Sequence, residues 1–212
     1  MEQYLKVLWS YNDRCRLSPE LSDYLRGAAT SIILPQDEIL QQEGELRDDL
    51  LFIEKGILRY FLSDEGSVYT HDFRFENQFV KTLKQYRPDF GGTEYGISTL
   101  TEVRLWAFSA DTVQYACENF PEFNHPFSVI YVSDLRDSRR MTEAYHRKFT
   151  PKQHYQLLLQ RSRNQARQIP HPVLADFIGV TPEEFEASLN SPRSLKVPYK
   201  KPVNNRSARR LP

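Results

Sequence analysis

Eight short β-rich segments follow one another between about residues 28 and 109, and no helical pattern interrupts them. Turn-forming residues separate them, among them Glu43-Gly44, Asp64-Glu65-Gly66 and Gly91-Gly92. Such spacing predicts an antiparallel sandwich or small barrel, and the lack of intervening helices disfavours a parallel βαβ fold. Lys55-Gly56, between two apolar runs, further predicts a hairpin. The expected strands cover 30–34, 37–41, 50–54, 57–62, 68–73, 79–82, 94–98 and 102–108.

Helical patterns lie on both sides of this region, so the chain is assigned to the α+β class. Apolar residues at helical spacing predict a helix over 2–12, and a second helix begins after the N-cap candidate Ser18. A short helical pattern covers 112–119. Further along, Thr150-Pro151-Lys152-Gln153 and Thr181-Pro182-Glu183-Glu184 both have the pattern of a capping box with proline at the first helical position.

A longer helix is expected from about Pro126 to Lys148. Its apolar residues form one narrow stripe of Phe127, Ile130, Leu135, Met141 and Tyr145. The stripe fits a helix that lies on its own domain. It also fits the contact surface of a homodimer, as in a short coiled coil.

Ala175-x-x-x-Gly179 followed by Phe185 has the spacing of a helix-turn-helix. A small residue allows the two helices to cross closely, glycine allows a left-handed turn, and an apolar residue locks the second helix against the first. The second helix carries Glu183, Glu184 and Glu186, which would repel phosphate. A helical hairpin without a role on DNA is therefore the alternative.

Charge is unevenly distributed, although 28 basic and 28 acidic residues cancel over the 212-residue chain. Residues 1–132 are acidic, 133–170 basic and 171–186 acidic. Residues 187–212 contain seven bases and no acid, and the part after Pro192 is expected to form a basic disordered tail.

Several function classes find no support. The five histidines show no metal-ligand spacing, and no GxSxG, P-loop or GxGxxG motif is present, so we expect neither an enzyme nor a metal or other cofactor. The apolar runs are too short for a membrane span. The start of the chain lacks a signal-peptide pattern, which favours a cytoplasmic protein without disulfides.

The order of these segments resembles the cyclic-AMP receptor protein and fumarate–nitrate regulator (Crp/Fnr) family of bacterial transcription factors. The resemblance covers about residues 1–190. It rests on LLFIEKGILRY at 50–60, DEG at 64–66, ENQFV at 76–80, Phe120-Pro121 before the long helix, and ADFIGVTPE at 175–183.

The resemblance implies a β-roll sensor domain over 1–125 with a cyclic-nucleotide-binding-like jelly-roll fold. It further implies a dimerisation helix over 126–148, a winged-helix-like helix-turn-helix domain over 149–192, and a tail over 193–212. The expected function is a homodimeric regulator that binds double-stranded DNA and senses either a small molecule or no ligand. The alternative is a scaffold that binds other proteins and not DNA.

The sequence departs from the family at the sites that carry its chemistry. In cyclic-nucleotide binders an arginine holds the cyclic phosphate, and the matching position is Thr93, followed by Glu94. The family's ribose-binding glutamate falls near Thr82 or Leu83, so cyclic AMP is not the expected ligand. The iron–sulfur branch uses an N-terminal cysteine cluster, of which only Cys15 is present. Candidates for lining the ligand pocket are Phe79, Thr82, Leu83, Gly91, Gly92, Thr93, Glu94 and Tyr95.

The family's DNA-reading helix is also altered, because Glu186 and Ala187 stand where serine and arginine are common. We therefore expect DNA affinity to come mainly from the basic flanks of this helix. The candidate DNA-binding residues are Lys152, Arg161, Arg163, Arg167, Thr181, Ser188, Asn190, Arg193 and Lys196.

Overall fold

The computed structural model describes residues 2–11, 17–45, 47, 49–81, 95–130, 132 and 149–191. The chain divides into two compact units, Met1–Met141 and Thr142–Pro212, which we call the sandwich unit and the helical unit. No helix in the described ranges is long and apolar enough to cross a membrane.

The described strands of the sandwich unit form two antiparallel sheets of four, with orders β1-β8-β3-β6 and β2-β7-β4-β5. Strands that are neighbours in sequence thus mostly lie in opposite sheets, which is the arrangement of a jelly roll. The strands are β1 (Thr30–Leu34), β2 (Ile39–Gln41), β3 (Leu50–Lys55), β4 (Leu58–Asp64), β5 (Ser67–Arg74), β6 (Phe79–Lys81), β7 (Gly96–Thr99) and β8 (Val103–Phe108).

The predicted hairpin at Lys55-Gly56 is wrong. β3 pairs with β6 and β8, whereas β4 pairs with β5 and β7, so the turn carries the chain from one sheet to the other. Gly56 has a φ of +98°, and a Cβ there would lie 2.5 Å from the carbonyl oxygen of Glu102. Glycine is therefore required here because the backbone at Glu102 comes too close for a Cβ. The true hairpin joins β4 to β5 through Glu65 and Gly66, both with positive φ.

Helices cover one sheet of the sandwich. They are α1 (Gln3–Ser10), α2 (Pro19–Ala28), α3 (Ala110–Asn119) and α4 (residues 121–130). Strand β3 is buried on both faces: Leu50 and Phe52 pack with residues of these helices, while Leu51 and Ile53 face the sandwich interior. This double burial explains why β3 is a continuous apolar run.

Helix α4 begins at residue 121, five residues before the predicted start. Ile130 is 2% exposed and packs with α1 to α3 in the core of the sandwich unit, and Phe127 packs against the same core. These two members of the predicted stripe therefore serve the unit's own core. Leu135, Met141 and Tyr145 lie outside the described residues.

The helical unit contains α5 (Pro151–Arg161), a short 3₁₀ helix (Gln165–Gln168), α6 (His171–Ile178) and α7 (Pro182–Asn190). Both predicted capping boxes are present, at Thr150 before α5 and at Thr181 before α7. The core consists of Leu158, Ala166, Ile169, Leu174, Ala175, Phe177, Ile178 and Phe185.

Candidate functional site

The turn between α6 and α7 has the geometry of a helix-turn-helix. Gly179 ends α6 in the left-handed conformation, with φ 79° and ψ 38°. Its N–H donates to the carbonyl of Ala175, as does the N–H of Val180. Ala175 is 1% exposed and Phe185 fully buried, so a small residue and an aromatic anchor fix the two helices against each other.

Helix α7 turns an acidic surface outward. Glu183, Glu184 and Glu186 are all exposed, while Phe185 faces the core. Glu184 closes the capping box by accepting a 2.9 Å hydrogen bond from the N–H of Thr181. Hydrogen bonds from its own backbone N–H and then from the Thr181 hydroxyl hold the pKa of Glu183 below its ordinary value. The outward face is thus negatively charged at neutral pH.

Several candidate DNA-binding residues lie on the surface of this unit. Arg163, Arg167, Thr181 and Asn190 are exposed and Arg161 is half-buried. Ser188 does not fit the role, because it is 3% exposed and its hydroxyl accepts a 3.1 Å hydrogen bond from the N–H of Lys152. Arg193 and Lys196 lie outside the described residues.

Lys152 also differs from the expectation. Its Nζ donates to the carbonyl oxygens of Leu189 at 3.1 Å and Ser191 at 3.2 Å, so the side chain lies along the C-terminal end of α7. The sequence showed only a basic residue in a capping box and gave no signal for this contact, since its partners lie more than 35 residues away.

The inward face of the second sheet carries two charges. Register places Asp72 opposite Tyr60 and Arg74 opposite Leu58, and both Leu58 and Tyr60 belong to the sandwich interior. Asp72 and Arg74 form an ion pair, and their side chains are only 10% and 11% exposed. The Arg74 guanidinium carbon also lies 5.0 Å from the centre of the Tyr60 ring.

Sequence reasoning missed this pair. The alternation of side chains along a strand places residues 72 and 74 on one face, but which face is inward depends on pairing with β4. Charge at both positions was the available signal. A buried ion pair on the inward face of the sandwich marks a candidate functional position.

The predicted ligand pocket is only partly described. Phe79 is 4% exposed, but it packs on Phe52 in the core under the helices, with ring centres 4.9 Å apart. Its neighbour Val80 faces the sandwich interior instead. Phe79 therefore cannot line that interior. Tyr95 stacks on His71 with ring centres 4.1 Å apart. Thr82, Leu83, Gly91, Gly92, Thr93 and Glu94 lie outside the described residues.

No group of three or more potential metal ligands occurs within the part of the chain that the structure describes. No family model matches the sequence, and no curated protein does either.

Solved structures, in contrast, are similar over most of the chain. FixK2 from Bradyrhizobium japonicum has a TM-score of 0.63 at 16% identity, covering 76% of this chain and 82% of its own. A regulator of the Crp/Fnr family from Eubacterium rectale has a TM-score of 0.64 at 18% identity, covering 89% and 86%. The c-di-GMP-responsive global regulator CLP from Xanthomonas campestris has a TM-score of 0.64 at 13% identity, covering 81% and 90%. A jelly roll and a helix-turn-helix in one chain fit these likenesses, and the chain thus has the fold of Crp/Fnr transcription regulators.

Proposed function

We propose that this protein is a transcription regulator of the Crp/Fnr type, which binds double-stranded DNA as a homodimer and responds to a small molecule other than cyclic AMP. The observation that carries the proposal is the α6–Gly179–α7 turn, in which Gly179 is left-handed and both Ala175 and Phe185 are buried, as in a DNA-docking helix pair. A chain that acts on bacterial DNA works in the cytoplasm.

The basic flanks of α7, and not its outward face, supply the affinity in this proposal. Arg163 and Arg167 are exposed before α7, and the basic residues from Arg193 to Arg210 follow it. Contacts of this kind release counterions, so binding weakens steeply with salt and shows little sequence preference. A chain that ends at Pro192 should show a flatter salt dependence and weaker binding to all duplexes alike.

The acidic surface of α7 gives the sharper experiment. If α7 approaches DNA, Glu183→Gln with Glu186→Gln should strengthen binding several-fold for every duplex, because two repelling charges are removed. Glu184 is left intact because it caps α7. Glu20→Gln, an exposed carboxylate of the sandwich unit, is the matched control and should change nothing. Fluorescence anisotropy over a salt series measures the effect.

Unchanged affinity in the Glu183→Gln, Glu186→Gln variant would mean that α7 stays away from the phosphates. If neither this variant nor the wild-type protein retains any duplex, the regulator proposal falls. The second candidate, a scaffold that binds proteins through this fold, is favoured by the same acidic face of α7 and would then replace it.

The ligand is proposed to enter the sandwich near Tyr60, Asp72 and Arg74, with residues between Thr82 and Tyr95 completing the site. An anionic ligand would have to compete with Asp72 for Arg74. In addition, Thr93 stands where the family has the arginine that holds the cyclic phosphate. Each lost factor of ten in affinity corresponds to about 1.4 kcal/mol. Titration calorimetry should therefore show no binding of cyclic AMP at micromolar concentration, and a micromolar dissociation constant would refute this part.

Dimerisation is proposed to use the part of the helix predicted over 126–148 that follows Ile130, since Phe127 and Ile130 are already buried in the sandwich unit. Light scattering should give twice the chain mass, and Leu135→Glu should reduce it to one chain. A wild-type monomer at micromolar concentration would contradict the dimer.

A further inference from the structure

The first turn of α5 and the last turn of α7 satisfy each other's unpaired backbone groups. An α-helix leaves its first N–H groups and its last carbonyls without partners inside the helix. In α5, Pro151 has no N–H, the N–H of Gln153 donates to the Thr150 hydroxyl, and the N–H of Lys152 donates to the Ser188 hydroxyl at 3.1 Å.

The same arrangement serves the C-terminal end of α7. This helix has no basic residue in its own last turn, so nothing within it offsets the negative end of its dipole. The Nζ of Lys152 takes that place by donating to Leu189 O at 3.1 Å and Ser191 O at 3.2 Å. A positive charge close to the last carbonyls of a helix is a favourable position for it.

Lys152 contacts α7 through two groups, its backbone N–H and its side-chain Nζ. Ser188 is 3% exposed and faces the unit's interior, and Lys152 is half-buried. Its backbone N–H therefore binds the inner side of α7, while its side chain reaches around to the carbonyl end. Since Phe185 is anchored against Tyr155 and His171, with ring centres 5.6 and 5.4 Å away, the Lys152 contacts supply a second fixed point on α7.

We propose that Lys152 is a positioning residue, which with Ser188 fixes the direction of α7 and the point at which the basic tail leaves it, and is not a phosphate contact. Its consequence for DNA rests on the proposed function, whereas the contacts themselves do not. Two points fix the axis of a helix where one would let it swing, so α7 can present its outward residues in a single orientation.

The two roles of a lysine make opposite predictions on DNA. Loss of a phosphate contact weakens binding to all sequences alike and lowers the salt slope by about one. Loss of a positioning residue leaves the salt slope unchanged and reduces the preference for a selected site over random DNA. The probes are a duplex enriched from a random pool by the wild-type protein and a scrambled duplex of equal length.

Lys152→Met should abolish the small preference of the wild-type protein for its enriched duplex, because α7 is then no longer held in one orientation by the bonds to Leu189 and Ser191. Lys152→Arg, which keeps donors of like charge, should recover most of it. Ser188→Ala should act in the same direction, although it removes no charge. Arg167→Met is the matched variant, because it removes an exposed charge from the same unit and should lower the salt slope instead.

Hydrogen exchange separates this inference from the proposed function. The amides of α7 near Leu189 should exchange about tenfold faster in Lys152→Met, while those of α6 near Ala175 keep their rate, whether or not the protein binds DNA. Unchanged exchange at α7, or a salt slope lowered by about one in Lys152→Met, would overturn the positioning role. Wild-type protein that binds no duplex at all would overturn the proposed function alone, and exchange would still decide the role of Lys152.

Discussion

Beside neutral polar side chains, the sandwich unit buries a pair of opposite charges, whereas the buried polar residues described in the helical unit are all neutral. Asp72 and Arg74 face the inside of the jelly roll and bind each other. In the helical unit, Thr150, His154 and Ser188 are each at most 3% exposed, and the hydroxyls of Thr150 and Ser188 accept hydrogen bonds from the backbone. Burying a charge costs far more than burying a hydroxyl that is hydrogen-bonded.

The difference indicates that the two units keep polar groups for different reasons. The hydroxyls of the helical unit complete helix ends, which have to be satisfied in any helical domain. The ion pair also binds the backbone, since Asp72 Oδ1 accepts from the N–H of Phe73 at 2.8 Å and Arg74 Nη1 donates to the carbonyl of Phe73 at 3.0 Å. Unlike the hydroxyls, it buries two charges, and well-packed apolar residues of similar volume are often as stable as such a pair. The pair is thus a better marker of a specific role than the buried hydroxyls are.

Removing one partner of the ion pair should have the largest effect. Asp72→Ala leaves the Arg74 charge buried without this partner, which is expected to lower the free energy of unfolding of the sandwich by about 3–5 kcal/mol. Urea denaturation followed by tryptophan emission measures it, because Trp9 and Trp106 both lie in the sandwich unit.

The matched variant for this pair replaces both charges, Asp72→Leu with Arg74→Met. It should be close to the wild type in stability, since no charge is left buried. If the double variant is as unstable as Asp72→Ala, the pair is a structural requirement and the contrast between the two units disappears.

A second test concerns the crossing between the sheets. Gly56→Ala forces a Cβ to 2.5 Å from the Glu102 carbonyl at a φ of +98°, so we expect a loss of about 3 kcal/mol or more. Gly66→Ala has a similar φ of +83° but open space around it, and should cost about 1–2 kcal/mol. Tryptophan emission again reports both. Equal losses would show that the approach of the two sheets at Gly56 contributes nothing.

These residues also show which features of the fold could be predicted from the sequence. Strand positions and capping boxes were predictable because turn residues, alternation and a Thr-Pro pair act within a few residues of one another. The hairpin at Lys55-Gly56 was wrong because glycine at positive φ serves a hairpin and a sheet crossing equally well. Only the contact with Glu102, 46 positions later, separates the two.

The candidate site was predictable to a smaller extent for the same reason. The helix-turn-helix is local and was found, whereas the burial of Ser188 depends on a hydrogen bond with Lys152, 36 positions away. The inward direction of Arg74 depends likewise on its pairing with Leu58. The direction in which a side chain points, and whether it is buried, depend on partners that are distant in sequence. A local sequence pattern does not contain those partners.

Acid should affect the helical unit through His154. Burial lowers the pKa of His154 to about 4 from the ordinary 6.5. The unfolded chain therefore takes up this proton near pH 6.5 but the folded unit only near pH 4. This contribution to stability is complete above pH 6.5 and is lost as the pH falls toward 4, by about 2 kcal/mol at pH 5.

The measurement is hydrogen exchange of the core amides around Leu158 and Leu174 at pH 8, 6.5 and 5, corrected for intrinsic rates. His154→Phe, which has no titrating group at this position, should remove the loss between pH 6.5 and 5. The same loss in that variant would assign the pH dependence to another group.

The smallest expected effect compares two helix caps with the same local sequence pattern. Thr150 and Thr181 each precede proline and each accept a hydrogen bond from the N–H three positions later, at 3.3 and 3.2 Å. Replacement of an N-cap threonine by alanine typically costs about 1 kcal/mol. Thr150 is 3% exposed and Thr181 is exposed, so water can replace the lost hydroxyl at Thr181 but not at Thr150.

Thr150→Ala should thus cost the helical unit more than Thr181→Ala, by about 1 kcal/mol or less. Hydrogen exchange at Leu158 and Leu174 measures the two losses against each other. Equal losses would mean that the surroundings of a cap add nothing to its sequence, and would weaken the case that the start of α5 is held by the end of α7.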